Sequence, residues 1–330
     1  MTDIASDISE MAEAKPADAD PSERWLEAAR PKAHLWRTII GAIIIVAVWM
    51  FWTIAVMFGY AVCIAIWGDV PSAQTAIEQL VDGKTPAAVM ALLFSFVGLW
   101  FGVWLATRLM HGQKFWTIVA PERTVRWREF GIGVAIIAAY MALNTLAGIV
   151  LGLPSGERSS LSLIEWAAIA APIAVLVFFQ ATGEELLFRG YLTQHLAARF
   201  RNPLIWGLLP SLGFGWMHFS NGTFPEYSAY YVVATTLFAL TATVAVWRTG
   251  SLSMAMGMHT ANNIGSFLIT GTNDSMSATQ LWLWNVDDIM RAAPYDIALL
   301  TLLLAFMLSP WAPLPKRQLL ALRKETRAAP

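Results

Sequence analysis

The sequence predicts an all-α fold: a polytopic membrane helix bundle of about eight transmembrane helices. Three observations predict it. Hydrophobic residues make up 57% of the 330 positions and charged residues 14%, where soluble domains carry about 25% charged residues. The apolar residues fall in runs long enough to cross a bilayer, which takes about 20 residues of helix. Lys and Arg gather in every second connection, as in multi-pass membrane proteins. The mean hydropathy of +0.53, with 16 Trp and 17 Phe, excludes a disordered chain, an ordinary cytosolic enzyme and a nucleic-acid binder with a basic face. A net charge of −1 says nothing about partners. Cys63 is the single cysteine, which excludes an intrachain disulfide framework and a Cys-based zinc site.

Residues 1–34 hold eight acids and four bases and read as a disordered, acidic cytoplasmic tail. They lack the basic start and apolar run of a signal peptide. The first span, Thr38–Trp67, contains no charge. Thr85–Thr107 is the second and Phe130–Leu153 the third, with Asn144 its one strongly polar side chain. Residues 160–200 allow two frames. Either the span is Leu163–Ala181, or Pro172 opens a helix as a first-turn proline that runs to Phe200, behind a separate interfacial helix Leu161–Ala171. The second frame is preferred because it gives the polar residues one another as partners. Pro203–Met217, Ser228–Trp247, Ser251–Thr270 and a short Ile297–Trp311 complete the bundle over 35–315, with its motif-bearing core at about 160–270. Residues 316–330 read as a basic cytoplasmic tail.

Orientation follows from the short loops. Arg24, Arg30, Lys32 and Arg37 precede the first span, and Arg108, Lys114, Arg123, Arg126 and Arg128 follow the second. Arg199, Arg201 and Arg248 continue the series on the same side. The opposite side holds only Lys84, Arg158 and Arg291. Both termini are expected in the cytoplasm, with the protein in a bacterial-type inner membrane and the lipid bilayer as its surroundings.

Ionisable groups inside spans are costly and mark function by default. Glu184, Glu185 and Arg189 form one group, and Glu185 and Arg189 share a helix face at i, i+4. Outside a membrane this would be an ordinary surface ion pair. Adjacent carboxylates in an apolar stretch instead suit a working base. His218 ends the fifth span after Phe214. His259 and Asn263 face the same way on the seventh, and Asn262 lies beside them. Ser253, Gly257, Ala261 and Gly265 form a small-residue stripe on that helix, which reads as close helix packing. His195 reads as interfacial, and His34 and His111 as solvated among loop charges. Asn144 has no assigned partner.

Depth tests whether these groups can meet. Glu184 lies 15 residues before Arg199 and His218 lies 17 after Arg201, about 22 and 26 Å from one turn at the helical rise. His259 lies 11 residues beyond Arg248, about 17 Å from the same side. All three converge in the inner part of the bilayer.

Peptide hydrolysis needs a base for water and a donor for the oxyanion. A carboxylate backed by His supplies the first, and an Asn amide is a neutral donor suited to low dielectric. Metal assistance is the alternative, with Glu184, His218 and His259 as three ligands of zinc and water in the fourth position. No H-E-x-x-H pair occurs in the chain. Asn263 is poorly explained as a zinc ligand, which favours the metal-free route; the cofactor is therefore none or zinc.

Glu184-Glu185…Arg189, Phe214…His218 and His259…Asn263, in this order on separate spans, resemble the motifs of the CPBP family, the CAAX proteases and bacteriocin-processing enzymes, also called the ABI family. The matching stretch covers about 80 of the 330 residues. The resemblance implies an intramembrane endopeptidase, of either glutamate or metallo type, acting on a membrane-anchored peptide or protein. Eukaryotic relatives remove the last three residues of prenylated C-a-a-X proteins, whereas many bacterial relatives act in peptide processing or immunity. It further implies that Glu184 and His218 activate the water, that His259 and Asn263 stabilise the oxyanion, and that Glu185 and Arg189 orient the site. Two other classes compete. A non-catalytic scaffold or bacteriocin-immunity protein would have no need of the full polar set. A transporter using the cluster as an ion site is disfavoured by the lack of an internal repeat.

Overall fold

Helices carry most of the chain because lipid offers no partner to a free backbone N–H or C=O. The computed structural model describes residues 20–67, 73–153, 156–219, 225–273 and 276–315. Its helices are α1 (Pro21–Leu26), α2 (Leu35–Trp67), α3 (Ala73–Asp82), α4 (Pro86–His111), α5 (Trp127–Val150), α6 (Leu163–Arg199), α7 (Leu204–Trp216), α8 (Pro225–Thr249), α9 (Ser253–Ile264, continued by a π turn at Gly265–Ile269) and α10 (Val286–Leu308). Six of these, α2, α4, α5, α6, α8 and α10, are long and apolar enough to cross a membrane. With the shorter α7 and α9 they make up the polytopic bundle read from the sequence. On α2, Phe51 and Phe58 are 74% and 71% exposed, a face that suits hydrocarbon and not water.

Alternate connections gather at opposite ends. At one end the Trp25 indole donates to the Ile118 carbonyl (2.7 Å), and the Leu252 amide to that of Val119 (2.8 Å). Arg248 closes this end. Its guanidinium donates to the carbonyls of Met307, Ser309, Leu314 and Pro315, a cation set against the negative end of the α10 dipole. At the other end β1 (Glu157–Arg158), β2 (Thr270–Thr272) and β3 (Trp282–Trp284) pair in the order β1-β3-β2, antiparallel then parallel. This small sheet satisfies backbone groups in loops beyond the apolar spans.

The small-residue stripe of α9 is packing, as expected. A Cβ on Gly257 would lie 2.1 Å from the Phe130 carbonyl, and one on Gly133 2.2 Å from that of Met254. α5 and α9 therefore meet backbone to backbone, which only glycine permits. Gly257→Val is expected to force these helices apart and to destabilise the bundle by more than the roughly 1–3 kcal/mol typical of overpacking. A thermal unfolding midpoint in detergent equal to that of the wild type would contradict this contact.

Three expectations need correction. The fourth span is neither of the two frames but one 37-residue helix, Leu163–Arg199, about 55 Å long. A capping box opens it: the Ser162 hydroxyl accepts from the Glu165 amide and the Glu165 carboxylate from the Ser162 amide. Pro172 sits inside this helix, as membrane helices tolerate, so Leu161–Ala171 is not a separate interfacial helix. The last span begins at Val286, not Ile297, capped by Asn285, and so takes in Asp296. Residues 20–34, expected within the disordered tail, are ordered by α1 and the buried Trp25. The remaining tail segments, 1–19 and 316–330, lie outside the described residues.

Candidate active site

α9 presses one face onto α5 and turns His259 and Asn263 toward α6. α6 brings Gln180, Glu184, Glu185 and Arg189 to the same place, and a π turn at Leu186–Leu192 follows the glutamate pair. The extra residue of such a turn re-aims side chains, and π turns recur at functional sites.

The geometry is built outward from Glu185. Its Oε1 accepts from Arg189 Nη1 at 3.0 Å and from His259 Nδ1 at 2.7 Å. Glu185, Arg189, His259 and Glu184 are 0%, 1%, 3% and 7% exposed. With Nδ1–H given to a carboxylate, His259 turns Nε2 toward Glu184 Oε2, 3.4 Å away. That contact is not aligned as a hydrogen bond, and Glu184 Oε2 has no hydrogen-bond partner. One turn along α9, Asn263 Nδ2 donates to Gln180 Oε1 at 2.7 Å, and Asn263 Oδ1 accepts from Asn262 Nδ2 at 3.1 Å.

His218 joins through aromatic contacts. Its Nδ1–H donates to the Phe214 carbonyl at 2.8 Å, which leaves Nε2 as the lone-pair nitrogen. The Phe214 ring lies 4.8 Å from the His218 ring and 5.6 Å from that of His259, and the Arg189 guanidinium covers it at 4.3 Å. The Tyr231 ring packs edge-on against His218 at 5.5 Å. His218 and Asn263 are half-buried while the Glu185–Arg189 pair is sealed. The floor of the site is thus dry and its rim is open.

The sequence reading missed Gln180, although two signals pointed to it. It is one turn before Glu184 on the same face, and it is the one strongly polar side chain in the run Ala167–Ala181. It also missed Asp296, placed just outside a span. Asp296 accepts from Tyr140, from Asn144 at 2.5 Å and from Tyr230 at 2.8 Å. Asn144 therefore has its partner, and Asp296 ties α5, α8 and α10 together.

His195 and His111 are corrected. Neither is interfacial or solvated: both are buried, with rings 3.7 Å apart. His111 Nε2 bonds the Tyr191 hydroxyl at 3.0 Å, and His195 Nε2 bonds Gln113 Oε1 at 3.0 Å. Long polar side chains from α4 and the loop after it make this burial possible, which loop charges alone could not reveal. His34 is exposed, as expected.

The proposed zinc ligands do not gather. Glu184 Oε2 and His259 Nε2 lie at a separation that two ligands of one zinc ion with bonds of about 2.0–2.2 Å would have. No third donor completes the set: among the described residues, no group of three or more His, Cys, Asp or Glu could hold a metal ion.

Residues 166–265, which contain Gln180, Glu184, Glu185, Arg189, His218, His259 and Asn263, match the family model described as Rce1-like, type II CAAX prenyl endopeptidase. Over 233 residues the chain is 26% identical to the uncharacterized protein YyaK of Bacillus subtilis (strain 168), covering 70% of this chain and 76% of that protein. No solved structure matches. The polar core of this membrane bundle is thus similar to the Rce1-like, type II CAAX prenyl endopeptidase family, in keeping with the CPBP resemblance of its motifs.

Proposed function

We propose that the protein is an intramembrane endopeptidase that hydrolyses a peptide bond of a membrane-anchored protein or peptide, using water activated within the bilayer. The observation that carries this reading is Glu184 Oε2. It is a buried carboxylate oxygen with no hydrogen-bond partner, facing His259 Nε2, one turn of α6 from the Gln180 that holds the Asn263 amide. A buried acceptor left open is expensive unless a reactant or water fills the place.

Charge counting assigns the roles. Two carboxylates face one guanidinium, and a proton on His259 makes the group neutral, as low dielectric favours. His259 then holds Glu185 through Nδ1–H and keeps Nε2–H for the oxyanion. Glu184 takes a proton from water, and the water oxygen bonds to the peptide carbonyl carbon. The oxyanion accepts from His259 and Asn263. Collapse breaks the C–N bond, and the proton on Glu184 passes to the leaving amine. His218 shares the water through its free Nε2. Glu185 and Arg189 fix the imidazole. No step requires a metal.

Cleavage of a membrane-anchored peptide by purified protein in proteoliposomes, read by the mass of the new termini, tests this. Asn263→Ala is expected to lower kcat by about 100-fold or more, as loss of an oxyanion donor does, with KM near that of the wild type. Chelators are expected to leave turnover intact. Activity lost to chelation and restored by zinc, with zinc bound near one per chain and absent in His259→Ala, would instead make Glu184 and His259 metal ligands. Absence of cleavage with every anchored peptide tried would leave a scaffold or immunity protein.

The loop charges further support a reading in which both termini lie in the cytoplasm of a bacterial-type cell. Reporters fused after Arg327 are expected to behave as cytoplasmic and those near Glu78 as external. The reverse pattern would overturn that orientation.

A further inference from the structure

An oxyanion donor must present N–H to the substrate, and an asparagine amide can equally well present its carbonyl. What selects the face of Asn263 is visible in its neighbours. Asn263 Oδ1 accepts from Asn262 Nδ2 at 3.1 Å, and Asn263 Nδ2 donates to Gln180 Oε1 at 2.7 Å. Both contacts demand the same orientation. An amide nitrogen carries two N–H groups; Gln180 takes one and leaves the other.

Gln180 is 5% exposed, in an otherwise apolar stretch of α6 where a polar side chain is unfavourable without a partner. It stands one turn before Glu184, so the base and the support of the donor share a rigid helix. Accepting from one N–H also polarises the amide and strengthens the other as a donor. We propose that Gln180 is a positioning residue for Asn263, holding its amide so that one N–H remains free for the oxyanion beside Glu184 and His259. This rests on the reading of Asn263 as the oxyanion donor. A plain helix–helix polar contact would stabilise α6 against α9 and would not affect catalysis.

Two measurements separate these. The first needs no activity. With ¹⁵N-asparagine-labelled full-length protein in micelles, the Asn263 side-chain signals are identified by their loss in Asn263→Ala. One of its two amide protons is expected to exchange slowly with solvent and the other rapidly, and Gln180→Met, close in volume and without an acceptor, should make both rapid. The second is kinetic. Gln180→Met is expected to lower kcat about 10-fold with KM within two-fold of the wild type, and to cause no further loss in the Asn263→Ala background. Rapid exchange of both protons in the wild type would overturn the proposal even if Gln180→Met failed to fold. So would a folded Gln180→Met with normal kcat, or losses that multiply in the double variant. If the wild type cleaved no peptide, the protease reading would fall, and the exchange measurement would still decide whether Gln180 fixes the Asn263 amide.

Discussion

Glu184→Gln is expected to abolish peptide cleavage, lowering kcat by at least about 10³-fold, while the protein folds, inserts and unfolds thermally near the wild-type temperature. General base catalysis is commonly a 10²–10⁴-fold effect, and here no other carboxylate can substitute. Glu185 is adjacent in sequence, yet its Oε1 is held by Arg189 and His259 and it has no solvent exposure. Glu185 Oε2 also lacks a partner but is sealed with the rest of that side chain, whereas Glu184 is 7% exposed and engages no cation at hydrogen-bonding geometry. Glutamine keeps the shape and removes the proton acceptor, so stability should change little. Wild-type turnover in Glu184→Gln would remove the base from the mechanism and return the Glu184–Glu185 pair to a purely structural role.

The bundle was legible because its signals are long-range in sequence and simple in kind. Apolar runs gave the spans, and alternating Lys/Arg gave the two ends. Helical rise placed Glu184, His218 and His259 at compatible depths, and the side chains of α6 and α9 do meet. Boundaries were harder. Pro172 suits a first turn, but the Ser162–Glu165 capping box, whose N-cap lies ten residues earlier, determines the start. Asp296 meets the same problem in α10: a span taken from Ile297 excludes it, whereas the Asn285 cap starts the helix at Val286.

Polar partners were the least legible part. Asn144 and Asp296 lie on helices separated by 152 positions, and nothing local in either segment names the other. His111 and His195 come together ring against ring from α4 and α6, with Gln113 bonded to His195 and Tyr191 to His111, so their burial is a property of the packed bundle. Gln180 differs. Its spacing from Glu184 already placed it on the catalytic face, and a rule that weighs every polar residue in a span, charged or not, would have included it.

Arg189→Met should be the most destabilising single change at the site. Arg189 is sealed in the core, ion-paired to Glu185 and stacked over Phe214. Removing one partner of a buried pair leaves the other charge uncompensated, at about 3–5 kcal/mol. The Glu185 carboxylate would then have only His259 facing it, and Phe214 would lose the cation covering its ring. Folded yield and the unfolding midpoint should fall sharply. The double variant Glu185→Gln/Arg189→Met removes both charges and should regain much of that stability. It should not regain turnover, because a neutral amide in place of the Glu185 carboxylate cannot hold the imidazolium of His259 as the carboxylate does. Stability and activity would thus separate in one pair of proteins. A double variant that unfolds as early as Arg189→Met would mean that the guanidinium supports the bundle through Phe214 and packing. A double variant that cleaves at the wild-type rate would mean that His259 needs no carboxylate behind it.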